Sequence, residues 1–79
     1  MTEMTLGETV LLSRELKSWS QARLERESGV NKSLISQIES GYVKDPGFRT
    51  VIKLARALGV KIERLAENHE STPNIRKHE

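Results

Sequence analysis

The chain contains no cysteine, only two prolines, and a single Trp, Tyr and Phe among its 79 residues. The absence of cysteine excludes disulfide bonds, thiolate metal sites and a nucleophilic thiol. No apolar run approaches the roughly 20 residues of a membrane-spanning helix, and the N-terminus lacks the basic and then apolar segments of a signal peptide. Both histidines, His69 and His78, lie among polar residues near the C-terminus. We therefore expect a small cytoplasmic domain that binds no metal and no cofactor.

The charge of the chain is concentrated in its middle. The net charge is only +2, but residues 14–64 contain eleven Lys and Arg against six Asp and Glu, while both ends are mildly acidic. A basic middle suits an anionic partner such as nucleic acid. Many solvated helical surfaces carry a similar charge, so the composition alone leaves both interpretations open.

The first predicted helix is the one whose start is most clearly marked. Thr5 and Glu8 have the spacing of a capping box, in which each side chain satisfies the other residue's backbone amide. This pattern predicts a helix over 6–17. Its apolar residues form a stripe wider than one buried face requires, namely Leu6, Val10, Leu11, Leu12 and Leu16.

Four further short helices follow. Ser20 and Asn31 are favourable N-caps for helices over 21–28 and 32–40, each of which ends at a glycine. Apolar residues at helical spacing predict a fourth helix from 48 to 58 and a fifth over 62–67. No segment alternates apolar and polar residues over the length of a strand.

Five short helices cannot line up as a long bundle, so they must pack crosswise around one core. The predicted fold class is all-α, with an ordered domain over 1–67 and a polar, disordered tail over 68–79.

The segment 21–40 has the features of a helix-turn-helix, in which the second helix can lie in the major groove of DNA. A glycine is needed in the turn because the backbone there takes a positive φ, and Gly29 supplies it. Apolar residues are needed where the two helices pack against each other, and Leu24, Val30, Ile35 and Ile38 supply them.

The same segment resembles the phage repressor/Cro-type family of helix-turn-helix proteins, also called the XRE family. The resemblance rests on Ser20-Gln21-Ala22-x-Leu24, on Ser28-Gly29-Val30-Asn31 and on Ile35-Ser36-Gln37-Ile38-Glu39-Ser40-Gly41. It extends over roughly 6–65 and implies a compact five-helix, lambda-repressor-like DNA-binding domain.

The resemblance also implies roles for individual residues. Lys32, Ser33 and Gln37 occupy the family's base-reading positions on the recognition helix, where Lys can donate to guanine and Gln can bind adenine. Further residues occupy positions that contact phosphates or flank the bases: Gln21, Asn31, Ser36, Tyr42, Lys44 and Arg49. Arg14 and Glu39 match a structural ion pair between the family's first and third helices.

Some residues depart from the family pattern. Glu25 stands where the family prefers a small residue, so either the helix angle adjusts or the Glu25 side chain bends out to solvent. Ser13 replaces a usual leucine. Leu12 and Leu16 replace usual polar residues, and of the two options, core repacking or an exposed strip for a partner, we favour repacking. Trp19 is expected to pack in the core, and Leu34 is expected to pack against the second helix rather than to contact a thymine methyl group.

Two functions remain open from the sequence. The first is a sequence-specific transcriptional regulator, a repressor or autoregulator, which binds a palindromic operator as a homodimer; a restriction-modification controller is a variant of it. The resemblance places the dimer interface at Pro46, Gly47, Val60, Lys61 and Arg64. The second is an antitoxin-type module that neutralises a protein toxin, because the same fold serves both functions. An enzyme is not expected, since no nucleophile–base pair, carboxylate pair or phosphate-binding glycine loop is present.

Overall fold

The computed structural model describes residues 4–66. Over that range it contains five helices and no strand: α1 (Leu6–Leu16), α2 (Gln21–Ser28), α3 (Lys32–Glu39), α4 (Phe48–Leu58) and α5 (Ile62–Ala66). The all-α, five-helix prediction is therefore confirmed. None of these helices is long and apolar enough to cross a membrane.

The predicted ends of α1 and α3 differ from the observed ones by one residue. Lys17 and Ser40 are the C-caps of α1 and α3 rather than their last helical residues. The predicted domain boundary at residue 67 and the predicted tail over 68–79 lie outside the described residues.

Side-chain caps begin the first three helices. The Thr5 hydroxyl accepts from the Glu8 amide at 3.1 Å, and the Glu8 carboxylate accepts from the Thr5 amide at 3.0 Å. Ser20 and Asn31 accept from backbone amides three and two residues further on, at 3.0 and 2.8 Å. Each cap satisfies a donor that has no partner inside its own helix, which fixes where the helix starts.

One core holds the five helices together. It includes the four residues predicted to lie between the helices of the helix-turn-helix, and every helix contributes to it; its buried members are Leu6, Val10, Leu24, Val30, Ile35, Ile38, Val51, Leu54, Ala55, Leu58 and Leu65. Trp19 is partly buried against this core, as predicted, and Leu34 is partly buried against it as well.

α1 and α3 approach each other closely at Gly7. A Cβ atom added to Gly7 would overlap the backbone carbonyl oxygen of Ile38 and lie 3.3 Å from that of Glu39. Only glycine lets a helix come this near to the backbone of another element. The position of α3 relative to α1 therefore depends on the absence of a side chain at residue 7.

The prediction that Leu12 and Leu16 repack the core is wrong. Leu12 is 45% exposed and Leu16 is 77% exposed. Val10 is fully buried, and a residue two positions further on lies about 160° around the helix from it. The apolar stripe of α1 is thus too wide for one buried face, and its outer part forms an exposed leucine strip, Leu12 and Leu16.

Ser18 connects α1 to α2 in a left-handed backbone conformation. Its φ is 60°, and no other non-glycine residue between 4 and 66 has a positive φ. We expect Ser18→Gly to raise the free energy of unfolding by about 0.5 kcal/mol, because the relief of left-handed strain slightly exceeds the added entropy of the unfolded chain. Thermal melts check this, with Ser18→Val as the opposing control. A lower melting temperature for Ser18→Gly than for the wild type contradicts it.

Candidate nucleic-acid interface

The outer surface of α3 is polar and exposed. Ile35 and Ile38 are buried, which turns the opposite side of the helix to solvent. Ser33 and Gln37 lie exposed on that side, and Lys32 lies exposed in the first turn of α3, about 100° around the helix from Ser33. Their side chains make no hydrogen bond to any part of the chain that the structure describes. The three predicted base-reading side chains are therefore all exposed on α3, with their polar groups available to a ligand.

The residues predicted to flank this face differ in exposure and in hydrogen bonding. Ser36 is exposed beside it. Asn31 is also exposed, but its side-chain oxygen is used as the cap of α3. Leu34 is half-buried against the core rather than presented outward.

The loop after α3 folds back onto that helix. The Val43 amide donates to the Gln37 carbonyl at 3.0 Å, and the Gly41 amide donates to the Ile38 carbonyl at 3.1 Å. These bonds hold the neighbouring residues Tyr42 and Lys44 near the end of α3, and both are exposed, Tyr42 to 80%. Two predicted phosphate-contacting side chains thus border the α3 surface.

Arg49, the third predicted phosphate contact after α3, lies exposed in the first turn of α4. No hydrogen bond in the described part of the chain joins it to α3 or to the loop. Its position relative to the α3 surface is therefore set by the packing of α4 alone.

Arg14 and Glu39 form a bidentate ion pair between α1 and α3. Arg14 Nε donates to Glu39 Oε2 at 2.8 Å and Nη2 donates to Oε1 at 2.9 Å, while Nη1 donates to the Trp19 carbonyl at 2.7 Å. The two side chains are only 12% and 6% exposed. The hydrogen bond that Arg14 donates to the Glu39 carboxylate, opposed in part by burial, raises the pKa of Arg14 above its ordinary value. Arg14 therefore stays protonated and Glu39 keeps its counter-charge.

Gln21 is joined to the same pair. Its Nε2 donates to Glu39 Oε1 at 2.9 Å, so one carboxylate oxygen accepts from both α1 and α2. An amide nitrogen carries two hydrogens, and the bond to Glu39 uses one of them. The second hydrogen remains for an outside acceptor at the start of α2.

The Glu25 side chain does not escape fully to solvent. It is half-buried, and its Oε2 accepts from the Lys32 amide, the first amide of α3, at 3.3 Å. Glu25 therefore acts as a second cap of the recognition helix, beside Asn31. This function was not predicted because it depends on how close two helices lie, and the only sequence signal was an unexpected acid in α2.

A cationic cluster surrounds Trp19, beside the helix-turn-helix. Lys17 Nζ lies 5.1 Å and the Arg23 guanidinium carbon 4.8 Å from the centre of the indole ring. Arg23 also donates to Glu27 at 2.8 Å. These contacts are of the cation–π type and fix the connection between α1 and α2.

The predicted dimer residues lie on the side of the molecule formed by α4 and α5. Gly47, Lys61 and Arg64 are exposed, Pro46 is half-buried, and Val60 packs partly against the core. Among residues 4–66, no group of three His, Cys, Asp or Glu side chains is arranged to hold a metal ion.

Fold and exposed face together define a helix-turn-helix domain of the kind found in DNA-binding transcription regulators. The family model described as helix-turn-helix matches residues 12–65. The chain belongs to this helix-turn-helix family, in its XRE-type branch.

A transcriptional regulator of similar sequence agrees with this membership. The chain is 42% identical over 50 residues to an uncharacterized HTH-type transcriptional regulator, y4dL, from Sinorhizobium fredii, a match that covers 63% of this chain and 25% of that protein. The chain thus spans about a quarter of the length of this curated relative.

Two solved structures are similar to the fold. One is SinR, the master regulator for biofilm formation, in complex with DNA, with a TM-score of 0.74 and 28% identity over 77% of this chain and 97% of that one. The other is a complex of SinR with SinI protein, with the same TM-score and identity over 89% of this chain and 69% of that one.

Proposed function

We propose that this chain regulates transcription by binding a specific DNA sequence, with α3 in the major groove. The observation that carries the proposal is the polar outer face of α3, where Lys32, Ser33 and Gln37 are exposed and unpaired within the described residues. In this docking geometry the residues at the start of the recognition helix contact base edges. Lys32 then donates to guanine O6 or N7, and Gln37 forms a bidentate pair with adenine.

Phosphate contacts on both sides of α3 set its register in the groove. One group lies before α3, at the start of α2, where Gln21 has a free amide hydrogen and the helix dipole favours an anion. A second group follows α3 in the chain and is exposed, namely Tyr42, Lys44 and Arg49. Such contacts supply affinity and salt dependence without reading sequence.

Two copies of the chain are needed for tight binding, because one recognition helix reaches only a few base pairs. We propose a homodimer that joins through the α4–α5 side, at Pro46, Gly47, Val60, Lys61 and Arg64, and acts as a repressor or autoregulator. A twofold dimer requires an inverted repeat with half-sites about 34 Å apart, one turn of the duplex. The DNA-bound state of the SinR neighbour supports the docking mode of the proposal.

In vitro selection of duplexes tests this function. We expect an enriched inverted repeat and two different effects of substitution on it. Lys32→Ala should reduce the binding free energy by about 1–3 kcal/mol at one base pair of each half-site and relax the base preference at that position. Lys44→Gln should weaken binding to the selected and random duplexes equally, and should reduce the slope of log K against log salt concentration by about 0.9 per protomer. Fluorescence anisotropy over a salt series measures both. Identical behaviour of the two variants contradicts the assignment of roles.

A second candidate function is an antitoxin-type module that binds a partner protein. The observation in its favour is the exposed leucine strip, Leu12 and Leu16, and the SinR–SinI complex shows that a similar fold is found with a protein partner. Co-expression with the product of the neighbouring gene, followed by a test for a complex between the two proteins, distinguishes the two functions. The double variant Leu12→Gln/Leu16→Gln is compared with the wild type. A complex lost in that variant favours the protein-binding function.

A further inference from the structure

The starts of α2 and α3 present different surfaces to an anion. At the start of α2, the amides of Gln21 and Ala22 have no hydrogen-bond acceptor in the described part of the chain. At the start of α3, the Lys32 amide donates to Glu25 and the Ser33 amide donates to Asn31. The start of α2 therefore has two open amides beside the amide of Arg23 that Ser20 caps, whereas the first two amides of α3 are occupied by a carboxylate and a side-chain amide oxygen.

A carboxylate at a helix start excludes a phosphate from it. Backbone amides and the helix dipole make such a start favourable for an anion, and α3 has no acid of its own in the first turn. Glu25 supplies the anion from α2 instead. A phosphate that approached this point would lose the amide as a donor and would be repelled by the Glu25 charge, which acts over a Debye length of about 8 Å.

We propose that Glu25 is a specificity-determining residue, which keeps DNA phosphates away from the start of the recognition helix. The proposal rests on the DNA-binding function proposed above. Binding to DNA of arbitrary sequence comes almost entirely from phosphate contacts, whereas binding to the correct site adds contacts to bases. The loss of one phosphate contact therefore lowers the affinity for DNA of arbitrary sequence by a larger share than the affinity for the correct site. Phosphates are directed to the start of α2, and the start of α3 is left to the bases.

Glu25→Gln tests the charge directly, because glutamine keeps the size of the side chain and an oxygen that can accept from the Lys32 amide. Glu27→Gln is the matched control. It removes the same charge from the same helix, but Glu27 is 40% exposed and paired with Arg23, not with α3. The probes are a duplex of random sequence and the duplex that wild-type protein enriches by in vitro selection.

We expect Glu25→Gln to bind the random duplex about threefold more tightly than wild type, with a salt slope steeper by up to about 0.9. Affinity for the selected duplex should rise less, so that the ratio of the two affinities falls. Glu27→Gln should leave that ratio unchanged. Thermal melts confirm that each variant is folded, and Glu25→Ala, which installs the small residue usual in the resembling family, repeats the test if Glu25→Gln is unstable.

The proposal is overturned if both Glu25 variants show the random-duplex affinity, salt slope and affinity ratio of Glu27→Gln. If wild-type protein enriches no duplex, the DNA-reading function fails instead. In that case the random-duplex affinities of the Glu25 and Glu27 variants still decide whether Glu25 excludes phosphates.

Discussion

Arg14→Met is expected to lower the free energy of unfolding by about 3 kcal/mol, whereas Arg14→Met combined with Glu39→Leu is expected to lower it by about 1 kcal/mol. The single substitution leaves the Glu39 carboxylate buried, and within residues 4–66 Gln21 is then its only side-chain partner. The double substitution removes both charges and fills the site with apolar atoms. A domain of this size has about 3–5 kcal/mol of stability to lose, so the single variant should be largely unfolded near physiological temperature.

Urea and thermal melts followed by circular dichroism measure this difference. Arg23→Met is the control, because Arg23 belongs to an ion pair whose side chains are 43% and 40% exposed, and such surface pairs contribute about 0–1 kcal/mol. A double variant that is no more stable than Arg14→Met would show that the cost comes from lost packing or from the Trp19 carbonyl, and not from an isolated buried charge.

The second large effect is expected at Gly7. In an ordinary helix interior, Gly→Ala stabilises by about 0.5–1 kcal/mol. Here the new methyl group would overlap the Ile38 carbonyl oxygen, so α1 and α3 must move apart. We expect a net loss of about 2 kcal/mol, of the size seen for overpacked cores, and a melting temperature lower by about 8–16 °C.

Ser13→Ala is the matched control for Gly7→Ala, since it also places alanine in α1 but at a half-buried position about 120° around the helix from Gly7. It should change the stability by less than about 0.5 kcal/mol. If Gly7→Ala is as stable as Ser13→Ala or more so, the close contact between α1 and α3 is not what holds the recognition helix in place.

Local signals were sufficient to predict the helices. Thr5, Ser20 and Asn31 each mark a helix start by a side chain that bonds to its own neighbouring backbone, and Gly29 marks an end by its left-handed conformation. These interactions span at most four residues, so the sequence alone contains them. The apolar spacing in α3 likewise predicted which side of the helix is buried, and therefore which side is exposed.

Features that depend on the distance between helices were not predictable in this way. Nothing near Gly7 indicates that Ile38 lies against it, and nothing near Glu25 indicates that the Lys32 amide is within reach. The exposure of Leu12 and Leu16 was predicted wrongly because hydrophobicity suggests burial, whereas the number of faces that a core can cover is set by the packing of all five helices. The base and phosphate roles of individual residues remain predictions.

Every proposed base contact depends on the entry of α3 into the major groove. Chemical probing of a bound duplex measures this entry most directly. Dimethyl sulfate methylates guanine N7, which lies in the major groove, and adenine N3, which lies in the minor groove. In the duplex enriched by selection, we predict protection of guanine N7 within each half-site and unchanged reactivity of adenine N3 there, with the N7 protection lost in Lys32→Ala. Protection confined to adenine N3, with guanine N7 fully reactive, would contradict the account.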